Sequence, residues 1–155
     1  MRETRSSVMA PIGTQKSADR RIGGSSDGLC DGAVVSAAAP AYAHSIASGR
    51  LVSHEVTTRI ADGMACRTPN NAALEIIRRG VARVVLVTDD EVEAAMRAIY
   101  DDTHNVAEGA GASGLAALLQ ERDRTRGKKV GFILTGANVD AALFSRVLTA
   151  DAAGK

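Results

Sequence analysis

Thr135 stands directly after the apolar triplet Phe132, Ile133 and Leu134, in the run FILTGANVD. The triplet reads as a buried strand, and Thr135, Gly136, Ala137 and Asn138 as the small polar turn at its carboxyl end. Open parallel sheets bind ligands at that end. A hydroxyl there can donate a hydrogen bond, and Gly136 lets a ligand come close to the backbone. The same residues also read as a plain strand-to-helix turn, with Asn138 or Thr135 capping the next helix. A second candidate is HNVAEGAGASG, where Glu108 precedes three glycines that open a helix, a place where backbone N–H groups point at an anion. A glutamate there is also favourable for helix-dipole reasons alone. In the third, IADGMACR, Asp62 and Gly63 make a turn, and a turn is their default meaning.

Other chemistry-bearing residues do not assemble by spacing. His44 falls mid-helix, His54 in a link and His104 before the helix-opening glycines, and no two stand at a metal-ligand interval. Satisfied or solvated roles are expected for all three. GGSSDG, residues 23 to 28, has the composition of a phosphate loop but follows no strand pattern. Cys30 and Cys66 are far apart and lack a CxxC or Cys/His pattern, which fits a reducing compartment better than a disulfide scaffold or zinc site.

The elements that must position these residues alternate along the chain. Residues 1–32 are rich in Arg, Ser and Gly, show no helical or strand period, and are expected to be irregular. From residue 33 to 150 short apolar runs alternate with amphipathic ones. AVVSAA reads as a strand, and Pro40 opens the helix PAYAHSIASG, which stops at Gly49. NAALEIIRRG reads as a helix and RVVLV as a buried strand. Thr88 with Glu91 forms a capping box that starts DDEVEAAMRAIYDD, with Val92, Met96 and Ile99 on one face. GASGLAALLQERDR is then a helix of small residues, KVGFIL a strand and VDAALFSRVL a helix, before a tail at 151–155. Strand and helix alternation predicts an α/β class with a mostly parallel sheet.

Bulk composition narrows the function classes. The chain has 155 residues, enough for one domain with a core. Its 19 basic and 18 acidic side chains leave no electrostatic footprint for nucleic acid or an anionic membrane surface. With two Phe, two Tyr and no Trp it has no stacking platform for bases. No apolar run approaches a membrane span, and the start lacks the apolar stretch of a signal peptide, so a cytoplasmic location is expected.

Taken in order, IADGMACRTP, then IIRRGVARVVLVTDDEVEAAMRAIYDDTHNVAEGAGASGLAAL, then GKKVGFILTGANVD resemble the carboxyl-terminal third of the threonine/serine dehydratase family. These are pyridoxal-phosphate enzymes of the tryptophan-synthase-β-like fold. The resemblance runs from about Val34 to about Leu148 and rests on three motifs in order and at matching distances. It implies part of a three-layer α/β sandwich with a mostly parallel sheet.

The resemblance also implies roles. Thr135 matches the hydroxyl or thiol residue of the family's SGGN motif, which contacts the pyridine nitrogen of the cofactor, with Gly136 beside it. Glu108 matches a glutamate beside the cofactor ring, and Gly63 the glycine of the ADG turn that passes close to it. Ala137 departs from the usual second glycine. The implied reaction removes the α-proton and the β-hydroxyl of an amino acid, yielding a 2-oxo acid and ammonia. The family's Schiff-base lysine has no match, because Lys16, Lys128, Lys129 and Lys155 all lack its setting. VMAPIG resembles the strand leading to the family's phosphate cradle, but the glycine run after it is missing. Val35 and Ala41 occupy the aligned positions of acidic cation ligands found in some members, so no metal is expected. These departures make the expectation a truncated or frameshifted copy with no catalytic residue, one that does not bind pyridoxal phosphate productively alone. The alternative is a non-catalytic module docking on a full-length paralogue. Self-association through the exposed face stays open.

Overall fold

The computed structural model describes residues 32–150. The expectations for 1–31, including GGSSDG, and for 151–155 lie outside them. Two strands, β1 (Gly32–Ser36) and β2 (Arg83–Val87), pair in parallel with Gly32 opposite Arg83 and Ser36 opposite Val87. Parallel strands need a crossover. It is supplied by α1 (Ala41–Ser48) and α2 (Asn71–Gly80).

Local chemistry accounts for these boundaries. Helix α1 follows Pro40 and ends on Gly49, whose φ of 75° lies in the left-handed region that glycine enters at little cost. Inside it the buried Ser45 hydroxyl donates to the Ala41 carbonyl at 2.7 Å and accepts from Val52 N–H at 2.8 Å, tying the helix to the chain that leaves it. Asn70 caps α2 by accepting from Ala73 N–H. Leu74 is the fully buried residue of α2, whereas Ile76 is exposed.

Helix α3 (Asp89–Thr103) starts with the expected capping box, Thr88 N–H donating to Glu91 Oε2 at 2.7 Å and Glu91 N–H to Thr88 Oγ1 at 3.2 Å. Such a cap is worth about 1 kcal/mol. Its buried face, Val92, Ala95, Met96 and Ile99, packs against α4 (Gly109–Gln120). Helix α4 is built from small residues, with Gly109, Gly111, Ala112, Ser113, Ala116 and Ala117 buried, and it lies in contact with both strands and α3. The short α5 (Arg122–Thr125) follows, and α6 (Ala141–Thr149) inserts Val147 into the same core. Arg83 at the start of β2 and Glu121 at the end of α4 form a forked ion pair that fastens sheet to helix.

One expected element is absent. KVGFIL joins no ladder, because the sheet among the described residues contains β1 and β2 alone. Phe132, Ile133 and Leu134, expected to be buried, are exposed, Ile133 at 79%. The composition suits a strand, but a strand exists only when a neighbour accepts its N–H and C=O groups. Among the described residues none does so for 129–134. Phe132 lies instead against α4 at Gly114.

Candidate functional site

The turn at Asp62–Met64, one 3-10 turn, is held by an arm spanning residues 57 to 61. Thr57 N–H donates to the Ala38 carbonyl at 2.8 Å, just past β1. Thr58 Oγ1 donates to Asp89 Oδ1 at 2.7 Å and accepts from Ala61 N–H at 3.1 Å, while Arg59 N–H donates to Asp89 Oδ2 at 2.8 Å. Ile60 and Ala61 are then buried, and Met64 N–H closes the turn on the Ala61 carbonyl. Gly63 is thereby brought next to the start of α4. A Cβ added to it would stand 2.9 Å from the Ala110 Cβ and 3.9 Å from Glu108 Oε1.

Glu108 occupies the N-cap position of α4, but its carboxylate caps nothing. It turns onto Gly136, where any Cβ would collide with it. Backbone geometry fixes that approach, since Glu108 N–H donates to the Gly136 carbonyl at 3.1 Å. Gly111 is equally constrained, because a Cβ there would run into the Gly136 carbonyl. Glu108, Gly63 and Gly136 are therefore one cluster. A cavity of about 130 Å³ opens beside it, lined by Ile60, Gly63, Glu108, Gly109, Asn138 and Leu143 among others.

Thr135 is exposed next to Gly136 and does not line that cavity. Its hydroxyl has no hydrogen-bond partner among the described residues. Contrary to expectation, the turn it belongs to does not end a strand, since 129–134 forms none. Nor does Thr135 or Asn138 cap the following helix. Asp140 does, accepting from Ala142 N–H at 2.9 Å and Leu143 N–H at 3.1 Å. An aspartate directly before AALF is an N-cap signal in its own right.

The carboxyl ends of β1 and β2 face a different and larger cavity, about 390 Å³, lined by Ala37, Ala38, Thr57, Arg59, Thr88 and Asp89 among others. It contains none of the glycine cluster. Asp89 joins the two regions, its carboxylate pinning the arm that carries Gly63. Sequence reading missed Asp89, because its partners Thr58 and Arg59 lie 31 and 30 residues earlier.

Fold and site together define a class, an α/β domain of fold type II related to tryptophan synthase β. A profile described as pyridoxal-phosphate dependent enzyme matches residues 31–136. The chain belongs to that family. It is 39% identical over 115 residues to the L-threonine ammonia-lyase of Geobacter sulfurreducens, covering 74% of this chain and 29% of the relative. To the phenylserine dehydratase of Ralstonia pickettii it is 41% identical over 90 residues, 57% of this chain and 28% of that one. Among solved structures, the serine racemase of Dictyostelium discoideum superposes with a TM-score of 0.62 at 34% identity, over 70% of this chain and 35% of that chain. The serine racemase of maize gives 0.65 at 27%, over 79% and 38%. The chain thus spans about 30% of the length of the curated relatives it matches.

The family's cofactor is pyridoxal phosphate. The faces of Gly63 and Gly136 are closed by Ala110 and the Glu108 carboxylate, so the open space beside the cluster is the adjoining cavity, which Gly63 and Glu108 line. The adjoining cavity is smaller than the roughly 300–1,000 Å³ that encloses a drug-sized ligand. Lys128 and Lys129 are exposed and neither lines it.

Proposed function

We propose that the chain supplies the glycine-lined side of a pyridoxal-phosphate site in an enzyme that converts a β-hydroxy amino acid, threonine or serine, to a 2-oxo acid and ammonia, and that it does not complete the reaction alone. The observation that carries this reading is the Glu108 carboxylate lodged against Gly136 with Gly63 beyond it. The L-threonine ammonia-lyase relatives support the substrate class.

Pyridoxal phosphate, when bound, supplies an electron-withdrawing ring that makes the Cα–H bond of an amino acid acidic. The space over Gly63 and Gly136 is taken by Ala110 and Glu108, so a ring would sit in the cavity beside them, where the Glu108 carboxylate would orient it from one side. Thr135, exposed beside Gly136, would offer a ring nitrogen a neutral hydroxyl donor, where an aspartate would hold a proton. Ile60, Val139 and Leu143 contribute apolar groups to the wall of the adjoining space, beside the polar Asp62, Asn138 and Asp140. The proton-moving lysine comes from outside residues 32–150, since no described lysine lines the site.

The test is to assay 2-oxobutanoate from L-threonine with pyridoxal phosphate, first with the chain alone and then with the amino-terminal part of the Geobacter sulfurreducens relative joined ahead of Val34. The reading expects no turnover alone and turnover in the joined protein. Turnover alone that survives replacement of all four lysines would overturn the mechanism.

A second reading, an interaction module docking on a full-length paralogue, is favoured by the exposed row Val130, Phe132, Ile133 and Leu134. Sedimentation of the chain mixed with a full-length threonine ammonia-lyase separates the two. A stable complex without recovered activity supports the module, and independent sedimentation removes it.

A further inference from the structure

We infer that His44 and His54 form a two-histidine site for a borderline-soft divalent cation such as Zn²⁺ or Cu²⁺. The two residues belong to different segments, His44 to α1 and His54 to the chain between α1 and the Gly63 turn. Their ring centres nevertheless stand 5.2 Å apart with the planes inclined at 42°.

Three features make this more than a stacking contact. A cation about 2.0 Å from one nitrogen of each ring stands roughly 3.2 Å from each ring centre. With the centres 5.2 Å apart, a cation that one nitrogen of each ring turns toward would see the two at about 110°, close to tetrahedral. His54 Nδ1 lies 2.8 Å from the Glu55 carbonyl oxygen. The hydrogen on Nδ1 is accordingly directed at that carbonyl, leaving Nε2 with the lone pair that a metal takes, the usual second partner of a metal-bound imidazole. Both backbones are held, His44 N–H donating to the Pro40 carbonyl at 3.0 Å and His54 N–H to the Arg67 carbonyl at 2.9 Å.

Both rings are exposed, so a cation enters from solvent. No group of three or more His, Cys, Asp or Glu side chains among the described residues is placed to hold a metal. Water fills the remaining positions, which makes the site exchangeable. Bound metal would staple α1 to the segment that continues into the arm at residues 57 to 61, and so would stiffen the approach to Gly63.

The test titrates the full chain with ZnCl₂ and with CuCl₂ by calorimetry, beside His44→Ala, His54→Ala and His104→Asn. The last is a control whose asparagine tolerates the left-handed backbone at residue 104, φ 55°. One equivalent of cation is expected to bind, Cu²⁺ more tightly than Zn²⁺. Each alanine variant should weaken binding at least tenfold, because a single imidazole remains, while His104→Asn binds as the parent does. Substoichiometric Cu²⁺ should broaden the imidazole NMR signals of His44 and His54 together and spare His104. Parent-like affinity in both alanine variants, no binding at millimolar Zn²⁺ and Cu²⁺, or broadening confined to one of the two rings would each overturn the site.

Discussion

The Asp89 carboxylate accepts the Thr58 hydroxyl on one oxygen at 2.7 Å and the Arg59 N–H on the other at 2.8 Å. The first residue of α3 thus holds the arm that delivers Gly63 to Glu108. Asp89→Ala leaves both donors without their acceptor and should cost about 1–3 kcal/mol. Thr58→Val should cost less, and the two losses should not add, since they share one interaction. Urea unfolding of the singles and the double checks this. Strict additivity would mean that the contact carries no coupling.

At Gly136 the constraint is steric. Gly136→Ala drives a methyl into the Glu108 carboxylate and should destabilise by about 1–3 kcal/mol, as overpacking does. Glu108→Ala in the same chain should recover most of that loss, and Glu108→Gln, of equal size, should not. Thermal unfolding of the three proteins distinguishes a clash from a general intolerance of alanine in the turn.

Acid should loosen the joint between β2 and α4. The hydrogen bond from Arg83, with the charges of Arg83 and Arg124, holds the Glu121 carboxyl below its ordinary value, against the opposing effect of burial. A folded pKa depressed below the unfolded value of about 4.3 means that the stability is present above that pH and is lost as pH falls through the folded value. The parent should therefore lose stability relative to Glu121→Gln below about pH 4.3. At pH 7 the variant should be less stable by about 1 kcal/mol. Denaturant midpoints across pH 3 to 7 read the difference, and parallel curves would discount the pair.

The row Val130, Phe132, Ile133 and Leu134 presents apolar side chains on backbone that pairs with no neighbour among the described residues. Such an edge invites association between chains. Ile133→Lys should raise the concentration at which the protein remains monomeric, measured by light scattering, without lowering its thermal midpoint. A parent already monomeric over the full range would remove this surface from consideration.

Thr135 is tested in the joined protein described above. Thr135→Ser keeps the hydroxyl and should keep activity. Thr135→Val keeps the size, removes the donor and should cost about 1–3 kcal/mol of kcat/KM. Thr135→Asp should slow elimination, because a carboxylate stabilises a protonated ring nitrogen. Equal turnover by all three would leave Thr135 as a residue of the turn with no contact to the cofactor.

Much of this protein is legible in its sequence, because much of it is local. The capping box at Thr88 and Glu91, the stop at Gly49 and the buried face of α3 depend on residues within a turn or two of each other, where periodicity and cap chemistry apply directly. The order of the IADG, AEGAGASG and TGAN motifs carried the family, since order and distance survive without coordinates. Tertiary structure decided the rest. KVGFIL has strand composition yet no partner, and pairing is a property of two segments. Asp140 rather than Thr135 or Asn138 caps α6, because the backbone turns later than the small residues suggest. Asp89 meets Thr58 and Glu108 meets Gly136 only when α3 and α4 have packed against the sheet, while His44 meets His54 where the chain leaving α1 is tied back to it at Ser45. No spacing rule reaches contacts whose distance along the chain is set by a crossover, and packing of the small-residue helix α4 is what closes them.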